Sequence, residues 1–98
     1  MYLINLEAHP KPDSEAYGTI SGAQAVCWVD TDNADEAERR SRLTLAEAGW
    51  DTEDVEELRP ITRDDFIHAQ VSLDRFDQAL TDGIVVSLHA WPVGAPDE

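Results

Sequence analysis

The sequence predicts an α+β fold: a two-layer sandwich in which a four-stranded mixed or antiparallel sheet carries its helices on one face. Two patterns predict it. Apolar residues recur at every second position near both ends of the chain, as strands require, and at helical spacing between them, with capping residues and glycines as punctuation. The 98 residues suit one domain with a single core, spanning 1–98, whose segment 92–98 is expected to fray.

Tyr2, Ile4, Leu6 and Ala8 alternate with Leu3, Asn5 and Glu7, which predicts a first strand over 2–8. Two prolines among short polar residues, His9-Pro10-Lys11-Pro12-Asp13-Ser14, predict an exposed loop continuing to about Gly18. A second strand follows from Thr19 to Asp30. Its unbroken apolar run Ala25-Val26-Cys27-Trp28-Val29 marks it as central and covered on both faces.

Asn33 followed by Glu36 has the spacing of a capping box, and Asp35, Glu36 and Glu38 complement the positive end of a helix dipole, so a helix is expected over 34–48. Ala34, Ala37, Ser41, Thr44, Leu45 and Ala48 fall on its inward side, with Leu43 opposite. Gly49 suits the left-handed residue that ends a helix. A third strand is centred on Val55 to Arg59 and stops at Pro60.

Thr62 with Asp65 is a second cap, and Ile61 against Phe66 a hydrophobic staple, for a short helix over 63–69. Ser72, with Val71 facing Phe76, repeats the device and opens a helix over 73–81 that buries Leu73, Phe76 and Leu80 before Gly83 closes it. Ile84 to Trp91 is the last strand. The order ββαβααβ has a ferredoxin-like arrangement as its nearest common form, although the usual βαββαβ order reads the first two strands differently.

Composition narrows the function classes. Twenty-one acids against seven bases give a formal net charge of −14, so the chain lacks the Lys and Arg that displace counterions from nucleic acids or anionic membranes. A basic protein remains a partner that this charge allows. Cys27 is the sole cysteine, which excludes an internal disulfide and fits a cytoplasmic location. No segment has the ~20 apolar residues of a membrane span, and the opening Met1 to Glu7 lacks a basic leader, so neither insertion nor secretion is expected.

Ala25-Val-Cys-Trp-Val29, the acidic helix start, Ala48-Gly-Trp50, Val55-Glu-Glu57, Thr62-Arg-Asp-Asp-Phe66, and Asp82-Gly-Ile-Val-Val86 through Trp91-Pro92 together cover about three quarters of the chain. In this punctuation the sequence resembles small bacterial α+β proteins of unknown function. The resemblance implies a fold and a bacterial source, and it transfers no functional residues.

Each pattern with chemical content has a plainer reading. Asp30-Thr31-Asp32-Asn33 offers hard oxygen ligands to a divalent cation but lacks the later Asp, Gly and Glu of a calcium loop, and acids at a helix entrance are explained by capping. Asp64 and His68 share a helix face at four-residue spacing, which an incidental surface pair explains equally well. Gly18-Thr-Ile-Ser-Gly22 matches neither a nucleophile elbow nor a phosphate loop and reads as a turn. The acidic runs Asp30 to Glu38 and Asp51 to Glu57 read as solvated surface.

Cys27 would become a nucleophile if His9 or His89 reached it, because the reactive species is the thiolate. Alternation places it with Ala25 and Val29 on the helix-covered face, where a cysteine acts as a small apolar residue. No metal, cofactor or catalytic residue is therefore assigned.

The opposite sheet face would carry Val26, Trp28, Val85, His89 and Trp91. Left bare, such a surface calls for a partner, and a homodimer is the simplest closure. The sequence thus predicts a non-enzymatic, self-associating interaction domain that uses this face or a sheet edge. The rival reading is a small-molecule binding or catalytic domain in which Trp28, His89 and Trp91 line a cleft.

Overall fold

A computed structural model describes residues 1–14 and 17–92, with the side chain of Pro92 left out. The expected frayed tail lies outside these residues, apart from Pro92. Among the described residues the chain forms β1 (Tyr2–Pro10), β2 (Ile20–Val29), α1 (Ala34–Glu47), β3 (Trp50–Pro60), a short 3-10 turn (Arg63–Phe66), α2 (Gln70–Asp82) and β4 (Ile84–Pro92). The four strands form one sheet in the order β3-β1-β2-β4, and every neighbouring pair is antiparallel. This is an α+β fold of four antiparallel strands, but not with the ferredoxin-like βαββαβ order.

Local chemistry explains most boundaries. Asn33, extended at φ −119°, starts α1: its side-chain oxygen accepts the Glu36 N–H at 3.0 Å. The reciprocal half of the box is replaced. The Asn33 N–H donates to Thr31 Oγ1 at 3.2 Å, while the Glu36 carboxylate takes Arg39, which holds its pKa below the ordinary glutamate value. Gly49, at φ +94°, turns the chain out of α1 into β3.

The stretch expected as a helix over 63–69 closes only as the 3-10 turn. There the Thr62 N–H donates to Asp65 Oδ2 at 2.7 Å, and Ile61 and Phe66 are buried together, as a staple requires. Ser72 does not cap the next helix: α2 already begins at Gln70, so Val71 lies on its outer surface, 67% exposed. Leu80, expected in the core, is also exposed, because α2 turns Phe76 and Ala79 toward the sheet instead.

The sheet has two covered faces rather than one. Ile4, Leu6, Ala25, Cys27 and Val29 pack beneath Ala37 and Leu45 of α1. Leu3 and Trp28 are buried on the other side with Ile61, Phe66, Phe76 and Ala79. The expectation of helices on one face is corrected to three layers, with α1 and α2 on opposite sides.

The connections give the physical reason. β2 and β3 are both antiparallel to β1, hence parallel to each other, and α1 is the crossover between them. It rests mainly on β3 and β1. The next segment leaves the β3 edge and returns to β4 at the opposite edge, and the apolar ground left to it is the Leu3 and Trp28 face. α2 accordingly rests on β4 and β2.

Candidate functional site

α2 divides the five residues expected to form an open interaction face. Trp28 is 6% exposed and lies in the chain's own core, with Val26 and Val85 half-buried against the same cluster. A bare face carrying Trp28 is therefore corrected: the chain itself covers it. The indole is held between Phe76, the neighbouring strands and Arg75, whose guanidinium carbon sits over the ring at 5.8 Å from its centroid. Phe66 and Phe76 meet at a centroid separation of 6.2 Å with a 48° tilt, a favourable aromatic geometry.

His89 and Trp91 belong to the far half of this face, and their surroundings are polar. Glu7, Gln24 and His89 stand side by side across β1, β2 and β4. Gln24 donates to Asn5 along the same surface. The Trp91 indole lies over Gly22, where an added Cβ would meet it at 3.0 Å and His9 Nδ1 at 3.2 Å. His9 is also 3.2 Å from the Ser21 carbonyl, and its Nε2 is 3.5 Å from Glu53 and 3.9 Å from Glu7. Trp28 pairs with Val85, whereas His89 and Trp91 stand four and six residues further along β4 beside Gln24 and Gly22, so the structure separates them from Trp28.

Cys27 lies on the α1 face, opposite the one that carries His9 and His89. Burial pushes its thiol up from 9.0 to about 11, against a smaller lowering by the neighbouring Ser41 hydroxyl. A thiol so protonated is no nucleophile at neutral pH. Asp64 and His68 are both exposed, and Gly18, at φ +91°, shapes the expected turn. Among the described residues no group of three or more His, Cys, Asp or Glu is placed to hold a metal ion, and no helix is long and apolar enough to cross a membrane.

The two sheet edges differ in a way that the five expected residues only partly reveal. β3 presents Asp51, Glu53, Asp54, Glu56 and Glu57, all exposed, and its register against β1 shifts on both sides of Leu6. Charge and irregularity of this kind block edge-to-edge pairing. β4 carries no charge, and its register shift against β2, between Ile20 and Gly22, is confined to the end that its proline closes. From Ile84 to Pro92 it contains no Asp, Glu, Lys or Arg, its register against β2 is regular from Gly22 through Val29, and Leu88 is 40% exposed. In a chain that is 29% charged, an open nine-residue neutral edge is the surface best suited to pairing.

The signal for this edge was present in the sequence as the uncharged run from Ile84. Its openness was not, because that depends on strand order. Comparison with family models, with curated proteins and with solved structures finds no match.

Proposed function

We propose that the chain is a non-enzymatic, self-associating interaction domain of the cytoplasm, pairing with a second copy along β4 and displaying its acidic surface to a basic protein. The observation that carries this reading is the open, uncharged β4 edge, at the side of the sheet opposite the heavily acidic β3 edge. An antiparallel β4 pair is self-complementary about a twofold axis, so one surface serves both copies.

Charge favours this arrangement over others. Two chains of −14 repel wherever acids meet, but pairing at β4 places the two β3 strands at the outer edges of an eight-stranded sheet. With seven strand spacings of ~4.8 Å they stand about 34 Å apart, beyond the ~8 Å screening length of physiological salt.

Sedimentation equilibrium across a concentration series tests the reading. The wild-type chain is expected at twice its 10.9 kDa mass, more completely at higher salt, and Leu88→Lys at the monomer mass with an unchanged circular dichroism spectrum. Leu43→Lys, altering an exposed leucine on α1, should remain dimeric. A wild-type monomer at every concentration, or a Leu88→Lys dimer, would count against it.

A further inference from the structure

Five of the six arginines have acceptors. Arg39 pairs with Glu36, Arg42 with Glu38, Arg59 with Glu57 and Arg63 with Asp77, and Arg40 donates to the carbonyls of Asp30 and Gly83. Arg75 has no hydrogen bond or ion pair among the described residues, in a chain with three acids for every base. Beneath it lies a second donor without an acceptor, the Trp28 Nε1 atom, in a side chain more than nine-tenths buried. A buried N–H left unpaired is costly, and a half-buried guanidinium without an acceptor is open to an anion.

A cleft of about 270 Å³, lined by Val71, Asp74, Arg75, Gln78 and Val85, opens beside the guanidinium, with the Trp28 ring under Arg75 rather than in the lining. Its two polar neighbours are already engaged: Asp74 accepts from Gln70 at 2.7 Å, and Gln78 donates to Asp82. Arg75 is thus the one group of the lining whose donors have no acceptor, and it lies between two valines; the exposed Asp74 carboxylate keeps its charge beside it. We propose that this cleft binds a small aliphatic carboxylate, its oxygens accepting from the Arg75 guanidinium and its short tail lying between Val71 and Val85. The space is below the range for drug-sized ligands, so the class is an acid of the size of butanoate or 3-methylbutanoate. The inference is independent of β4 pairing, since every lining residue belongs to one chain.

The test is titration of the full chain with sodium butanoate, following the three indole N–H signals by NMR and assigning Trp28 with Trp28→Phe. Butanamide and sodium chloride at equal ionic strength are run alongside. A saturable shift of the Trp28 signal with butanoate alone is expected, weakened at least ~10-fold in Arg75→Gln by loss of a charge-assisted contact. Val71→Asp, at a position exposed enough to leave the fold intact, should weaken it strongly by adding a second carboxylate to the one Asp74 already brings to the lining. No saturable shift, an equal response to chloride or butanamide, or an Arg75→Gln protein that binds as well as wild type would overturn the proposal. A Trp28 signal that responds to dilution but not to butanoate would give the cleft to a second copy instead.

Discussion

Phe76→Ala measures how far α2 is part of the core rather than an accessory on it. Phe76 is 6% exposed and packs with Trp28, Phe66 and Ala79 on the second sheet face. Removing a buried phenyl ring forfeits its transfer free energy and leaves a cavity, together about 3–5 kcal/mol. The aromatic contact with Phe66 at 6.2 Å is lost with it and places the effect toward the upper part of that range. For a domain of this size each kcal/mol moves Tm by about 5 °C, so a fall of roughly 15–25 °C is expected. Thermal and urea unfolding followed by circular dichroism give the number, with Leu80→Ala as the control. Leu80 lies four residues further along the same helix but is 52% exposed, and its truncation should cost under ~0.5 kcal/mol, as surface substitutions usually do. Equal and small effects of the two substitutions would refute the reasoning, since α2 would then contribute no core of its own.

Two further predictions concern the α1 side and the end of α2. The Cys27 thiol keeps its proton in the folded chain to about pH 11 but loses it near 9.0 when unfolded. Above pH 9 the unfolded state therefore binds fewer protons, and stability falls as pH rises toward 11, by about 2–3 kcal/mol in all. The urea midpoint of wild type should drop toward that of Cys27→Ala between pH 8 and 10.5, and a constant gap would contradict the assignment. Gly83 closes α2 at φ +87°. Gly83→Ala should cost about 1–2 kcal/mol from the left-handed backbone, with little added by the flexible Arg40 end that its Cβ would approach; unchanged denaturation curves would argue against this cap.

Much of the fold was legible because its causes are local. Asn33, Gly49 and Gly83 mark helix ends through chemistry confined to a few residues, and the shared parity of Ala25, Cys27 and Val29 places them together whatever lies above. The side taken by α2 was not legible. Alternation separates two faces without saying which helix covers which, and the handedness rule that governs parallel crossovers does not apply between the antiparallel β3 and β4. The same gap affected the expected site. Val26, Trp28, Val85, His89 and Trp91 do share a face. At 13 residues, however, α2 is only about 20 Å long. A nine-residue β4 runs to about 30 Å, so the helix covers one end of that face and leaves His89 and Trp91 beyond it. Arg75 gave no signal in sequence, because lacking an acceptor is a property of the folded neighbourhood.

The account rests on β4 being an edge in one chain and an inner strand in two. Amide hydrogen exchange of β4, compared at low and high protein concentration, tests this directly. The β4 amides that point away from β2 should exchange freely in dilute solution and become protected as concentration rises, while the outward amides of β3 stay fast throughout. Identical exchange of the outward β4 amides at both concentrations, in a sample whose mass doubles, would show that the copies meet elsewhere and contradict it.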